Sequence, residues 1–322
     1  MTGCACSPCA SGAPYSWKTY LNCEIEGDAG FFSSAFDFTR SIFINVVFTP
    51  ETPLTSTSLL DFQDVTFTDC SFENVTFYAS KIWMNNVNFE RSTLTNVSFI
   101  AAEIGASEGG IVFTGGSFAN AYLEDVSWDL QDSVNSSPQL VNQGNGISFS
   151  STSFEQSHFV NVRMSVHWSH TRNIADPQIT FIAAVAFKSV SFIDIVIESL
   201  DILVANETTW YNGEGASYGV LFDEGSSTTS FKRSNISNFN IAVGGVIEGR
   251  EMAKGIIFIS SDFENSRIDN SHWIVASSAV INSTDTVRAT EREGMANGAY
   301  GVDMYACNFQ NLVFESSEIA MH

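Results

Sequence analysis

Basic residues are scarce in this chain of 322 residues: 14 Lys and Arg stand against 36 Asp and Glu, a net charge of −22. That balance repels nucleic acid and anionic membranes, and it leaves cations or basic partners as candidate attractions. Its simplest reading is a solvated acidic surface. Proline is rare as well, with 6 residues in all. No apolar run approaches the ~18 residues that a membrane-spanning helix needs. The opening stretch, MTGCACSPCASGAPYSW, has neither a basic n-region nor an apolar h-region, which excludes a signal peptide as written. The chain either stays where it is translated or has already lost a targeting segment. No GxSxG, HExxH, P-loop or EF-hand pattern occurs.

What is abundant is phenylalanine, with 27 residues in a chain that is 44% hydrophobic. That content supports a substantial core. In FQDVTFTDCSFENVTF, Phe62, Phe67, Phe72 and Phe77 fall every fifth residue. The beat recurs at Phe38, Phe43 and Phe48; at Met84, Phe89, Leu94 and Phe99; and at Phe113, Phe118, Leu123 and Trp128. It returns at Phe149, Phe154, Phe159 and Met164, at Phe187, Phe192 and Ile197, and at Phe258, Phe263, Ile268 and Trp273. Met304, Phe309, Phe314 and Ile319 form the last copy, and Tyr20 and Ile25 a short early one.

Neither common element produces this period. Residues five apart on a helix lie roughly 140° around the axis, and on a strand they face opposite sides. The beat makes sense only if the chain turns a corner every five residues. A second inward site then falls three residues after each Phe, as at Val65, Cys70, Val75, Val87, Val97, Val126 and Val190. All six prolines (Pro8, Pro14, Pro50, Pro53, Pro138, Pro177) lie outside the beat-bearing tracts, as hydrogen-bonded ladders require.

The pattern resembles pentapeptide-repeat proteins, and its Phe-rich form, as in FTDCSFENVTF, is similar to the luminal domain of synaptic vesicle glycoproteins. The resemblance implies an all-β fold, a right-handed quadrilateral β-helix that stacks square coils of four pentads. It covers a little under half of the chain and is weak for function, because one scaffold serves unrelated tasks. We expect about eight or nine coils. Residues 1–19 should form an N-terminal segment and residues 20–322 one solenoid domain, with insertions near 49–61, 129–148, 165–186, 203–230 and 274–303.

Six cysteines invite a disulfide framework, but Cys23, Cys70 and Cys307 occupy the small inward site, where a thiol packs as a hydrophobe. Cys4, Cys6 and Cys9 cluster near the start, and a metal site built on them would need Cys23 as a fourth ligand. His158, His167 and His170 include an H-x-x-H, a weak signal for a metal without a further ligand. Six N-x-S/T sequons, at Asn74, Asn96, Asn135, Asn206, Asn235 and Asn282, follow from composition and from the repeat itself. The glycine-rich run from Asn212 to Gly219 lacks a basic residue for a phosphate cradle.

No catalytic, cofactor-binding or metal residue is therefore assigned, and no cofactor is expected. Three functions remain in view. One is a non-catalytic structural or interaction protein, a scaffold or assembly subunit that binds a protein partner through solenoid faces and loops. The second is an acidic nucleic-acid mimic that binds a topoisomerase-like protein, which would need two lateral stripes of carboxylates. The third is a polysaccharide-acting β-helix enzyme using acids such as Glu73, Asp125, Asp194, Glu198 and Asp262. We expect no nucleic-acid ligand and no membrane span. A terminal coil exposes unpaired backbone and apolar surface. The coil of Phe309, Phe314 and Ile319 should therefore be covered by a protein partner, by self-association or by fold-back of 274–303. The luminal resemblance and the acidity suggest a secreted or organelle-lumen location; the missing signal peptide suggests the cytoplasm.

Overall fold

In a computed structural model of the protein, the described residues are 4–6, 15–27, 36–50, 58–102, 110–131, 145–167, 183–204, 209–212, 216–223, 227–244, 246–249, 252–275, 278–281 and 299–321. Every regular element among them is a strand, and strands of successive coils pair in parallel.

Beat residues stack in four columns, one per side of a square coil. On side one Phe38 lies over Phe67, Phe89, Phe118 and Phe154, with successive rings 4.9–5.0 Å apart and nearly parallel. Side two carries Tyr20, Phe43, Phe72 and Leu94 in register. Side three carries Ile25, Phe48, Phe77, Phe99, Trp128 and Met164. Side four carries Phe62, Met84, Phe113, Phe149 and Phe187. The columns continue to Phe309, Phe314, Ile319 and Met304. Eight complete coils run from Phe38 to Met304, with a partial coil at each end. The expected pentapeptide-repeat β-solenoid is the observed fold.

A local rule makes each corner. The residue two past a beat residue adopts a positive φ, as at Asn45, Asp64, Asp69, Asn74, Asn96 and Asn120, all between 53° and 57°. Asn and Asp tolerate that left-handed region best among residues with a Cβ. The next residue points back inside, and the ones predicted at that site, from Val65 to Val190, are buried. Asn96→Val should therefore cost about 1–2 kcal/mol from backbone strain alone, whereas Asn96→Gly should cost a few tenths (roughly). Urea melts of the two variants check this, and equal losses would contradict the corner rule.

Several inward small sites hold serine, and their hydroxyls link coils. Ser92 Oγ donates to the Phe67 carbonyl at 2.5 Å and accepts the Cys70 N–H at 2.9 Å. Ser266 Oγ donates to Phe231 O at 2.9 Å and accepts from Ser234 N at 3.1 Å. Cys70 takes the same place, its Sγ 2.9 Å from Phe38 O. Burial pushes the Cys70 thiol up to about 12, since desolvation penalises the thiolate. Native Cys70 should thus resist thiol reagents at pH 8 and label only on unfolding, and Cys70→Ser should shift stability by less than about 1 kcal/mol. Rapid native labelling would contradict this packing.

Long connections leave the coil at one corner, between sides three and four. The described chain breaks there after residues 50, 102, 131, 167 and 204 and resumes at 58, 110, 145, 183 and 209. One break falls elsewhere, between 223 and 227, where side four meets side one. The expected insertions are trimmed by strands: Leu59–Gln63 ends the first, and Ala183–Lys188 closes the third. Strands also run inside the last two, as Thr209–Asn212, Ala216–Asp223, Ser278–Ile281 and Ala299–Tyr305. With Val246–Gly249, the strands Thr209–Asn212 and Ser278–Ile281 form a separate three-stranded parallel ladder beside side four. Here side four has a second small core: Ala186, Leu221 and Ile257 alternate away from the main core yet are buried.

The solenoid also begins earlier than residue 20. Tyr15 is buried against Phe36 and Phe38, and strand Cys4–Cys6 pairs with Thr19–Glu26. Cys23, opposite Cys4 in that ladder, is disulfide-bonded. This corrects the expectation that Cys23 packs as a thiol, and it removes Cys23 as a metal ligand. Cys9 and His170 lie outside the described residues.

Candidate functional site: the outer faces and the open last rung

The outer faces carry the polar chemistry, and most of it is used between coils. Asp69 lies between two arginines: Arg91 Nε and Nη2 donate to its two oxygens at 2.7 and 3.2 Å, and Arg40 Nε is 3.7 Å away. The Arg91 hydrogen bond holds the Asp69 carboxyl below its usual range. Arg233 grips Asp194 with two 2.7 Å contacts, with the same effect on Asp194. Because both folded pKa values are depressed, any stability they lend is present above the usual carboxylate range and lost as pH falls through the folded values. Lys232 Nζ is 2.6 Å from Asp262 and 3.5 Å from Glu264, and the Asp262 bond holds the ammonium pKa up. A ladder of amides, Asn96 to Asn74 to Asn45 to Asn22, follows the corner between sides two and three.

Of the five acids weighed for catalysis, Asp125 and Glu198 share a neighbourhood: burial, then the charges of Glu124, Glu198 and Asp125, hold the Tyr122 phenol pKa up. Asp194 is bound to Arg233, Glu198 to His158 at 2.9 Å, and Asp262 to Lys232 and Asn308. Asp125 accepts from Asn161, and Glu73 stands on another coil, between Ile44 and Thr95 on side two. Asp125, Asp194, Glu198 and Asp262 are thus paired between coils. One outward row of side two holds acids on several coils, with Glu73 between Ile44 and Thr95, Glu124 between Thr95 and Val160, and Asp269 between Ser237 and Glu315; the other row is mixed. That other row reads Ser71, Thr93, Tyr122, His158, Val196, Asn235 and Arg267. His158 is engaged with Glu198 and lies edge-on to Tyr122 at 5.3 Å. His167 ends a strand on another side. Among the described residues, no group of three or more His, Cys, Asp or Glu side chains could hold a metal ion.

The ends differ sharply. At the start, Tyr15, Tyr20 and Ile25 are 6–7% exposed. In the last rung Phe309, Phe314 and Ile319, at the matching inward sites, are 48, 40 and 47% exposed. Val313 and Tyr305 beside them are 46 and 58% exposed. The strands Asn308–Gln310, Val313–Glu315 and Glu318–Met321 each pair on one edge only. Among the described residues nothing covers this rung; most of the expected fold-back, residues 276–277 and 282–298, lies outside them.

The ladders and columns define a pentapeptide-repeat β-solenoid whose last described rung is exposed. Among solved structures the chain is similar to HetL, a pentapeptide repeat protein involved in heterocyst differentiation regulation from the cyanobacterium Nostoc sp. strain PCC 7120. The match has 7% sequence identity, covers 94% of this chain and 90% of that chain, and has a TM-score of 0.25. At that score it carries no argument, and the fold rests on the ladders and columns described above. No family model and no curated protein sequence matches the chain. No helix among the described residues is long and apolar enough to cross a membrane, which says nothing of β-barrels.

Proposed function

We propose that this chain is a non-catalytic structural or interaction protein, a scaffold or assembly subunit that acts by binding a protein partner. The open last rung supports this reading most. It presents three apolar side chains and three unpaired strand edges to solvent, a combination that invites strand pairing. The use of Asp125, Asp194, Glu198 and Asp262 in pairings between coils also favours contact over catalysis. A secreted or luminal location belongs to the same proposal, because the Cys23 disulfide suits an oxidising compartment.

The test is retention of partners on the immobilised protein. Wild type should hold a protein partner that Phe314→Asp loses while its melting temperature and circular dichroism stay close to wild type. Equal retention by both would move the contact surface away from the rung. Reproducible turnover of a substrate would remove the reading altogether.

A further inference from the structure

We propose that the corner at Trp17 is a docking edge for a zwitterionic phospholipid bilayer. Trp17, Leu21 and Ile42 would enter the headgroup region, and Arg40 and Lys18 would meet lipid phosphates. This contact lies on the flank of the solenoid and is independent of the last rung.

Trp17 breaks the corner rule. Its N–H bonds Thr39 O just as the Arg40 N–H bonds Thr68 O, which seats Trp17 over Arg40 at the corner between sides one and two. Arg40, Asp69, Arg91 and Asn120 hold that corner on the following coils at φ values of 54–59°, and Trp17 shares it at 61°. Left-handed backbone strains a bulky residue, whereas asparagine tolerates it. The strain gains no burial in return, because Trp17 is 69% exposed. Its ring rests on the Arg40 guanidinium, 4.6 Å from the ring centre.

The flank beside this corner is apolar on the same two coils. Leu21 and Ile42, on the outward rows of side two, are 52 and 41% exposed, and Ile44, which pairs with Leu21, is half-exposed. On the next coil those rows turn to Ser71 and Glu73. The cations at the corner lack full partners. Arg91 takes both oxygens of Asp69 at 2.7 and 3.2 Å, which leaves Arg40 at 3.7 Å. Lys18 is exposed, and among the described residues no carboxylate pairs with its ammonium.

Tryptophan, aliphatic side chains and Lys or Arg are together the set that settles at a bilayer surface. Shape favours lipid over protein here. The corner is convex, so a protein would need a matching cleft, whereas headgroups yield to it. Charge then selects the lipid. A chain of net charge −22 is repelled by an anionic leaflet. A phosphocholine headgroup carries no net charge, yet its phosphate still accepts hydrogen bonds from Arg40 and Lys18.

Cosedimentation of the full chain with phosphatidylcholine vesicles tests this, using substitutions that copy other coils. Trp17→Asn repeats the corner residue seen at Asn120, and Ile42→Ser repeats Ser71 of the same row. Wild type should bind the vesicles. Trp17→Asn should melt no lower than wild type, since it relieves the strain, yet lose binding by about tenfold. Ile42→Ser should lose about three- to tenfold. Val196→Ser, exposed on the same row far from the corner, should bind as wild type does. Replacing part of the lipid with phosphatidylserine should weaken binding. Absence of binding to phosphatidylcholine overturns the proposal, as does binding that Trp17→Asn leaves intact or that phosphatidylserine strengthens. A chain that ignores vesicles but holds a protein through Trp17 overturns the lipid assignment as well.

Discussion

Phe72→Asp should abolish the native fold under conditions where Phe72→Leu remains folded. Phe72 is fully buried, stacked 4.8 Å from Phe43, with Phe67 at 5.4 Å and Phe89 at 5.8 Å in the adjoining side-one column. Removing the ring forfeits the roughly 1.5–3 kcal/mol of burying a large apolar side chain, and the cavity left behind raises the loss to about 3–5 kcal/mol. Aspartate adds a carboxylate for which the surrounding rings supply no cation, a cost of several kcal/mol (roughly). The total is comparable to the ~5–15 kcal/mol by which whole domains are stable. Leucine already serves this column at Leu94 and Leu123, so Phe72→Leu should lose only about 1–2 kcal/mol. Thermal melts followed by circular dichroism decide it. If the aspartate variant kept a wild-type melt, the inward column would be misassigned.

The second large effect is expected at Gly116, which follows the corner glycine Gly115 between sides four and one and stands at the small inward site held by Val87 on the coil before. Its φ is +78°, and a Cβ there would lie 2.2 Å from Val87 O and 2.9 Å from Val87 N. Both neighbours are backbone atoms of the preceding coil, and the Ser117 N–H already bonds that same carbonyl at 3.2 Å. The coils would have to move apart to admit even a methyl group. Gly116→Ala should cost about 2–4 kcal/mol, more than the ~1–3 kcal/mol of a strained backbone alone. Gly115→Ala is the control: its φ is +68°, but the nearest atom is the Asn86 side-chain oxygen at 3.0 Å, which can rotate away. Its loss should be about half as large (roughly), from strain without the backbone clash. Denaturant midpoints of the two variants make the comparison, and equal midpoints would contradict it.

The sequence made the columns legible because burial and period coincide on one residue type. Phe62, Phe67, Phe72 and Phe77 could be placed inside before any coordinate was known. The corners were legible only in part. Asn and Asp recur two residues after the beat, and that position is where the chain enters the left-handed region. The serine links were not foreseen. Ser92, Ser157, Ser234 and Ser266 stand at the small inward site, and their role appears only when the carbonyl they reach is seen on the coil before, as with Ser157 and Phe118.

Side four was the hardest to follow. The step from a side-three beat residue to the next side-four residue runs from Phe77 to Met84 in one coil and from Trp273 to Met304 in another. A periodic signal cannot cross a gap of changing length, so the tracts read as separate copies, not as turns of one coil. The outer pairings were out of reach for a similar reason. Asp69 and Arg91 are 22 residues apart, and Lys232 and Asp262 sit on different tracts, so only the stacking puts them in contact. The Cys23 disulfide was missed because Cys23 also satisfies the small inward site, and either use produces the same spacing. The open rung, by contrast, follows from the same beat that built the core.

Native mass spectrometry of the protein taken gently from its own source tests the central claim, that this solenoid works by contact through its open rung. A mass of two chains, or of this chain with another subunit, that falls to one chain in Phe314→Asp is the predicted result. A bare 35.2 kDa monomer at every concentration, unchanged by the substitution, would contradict it.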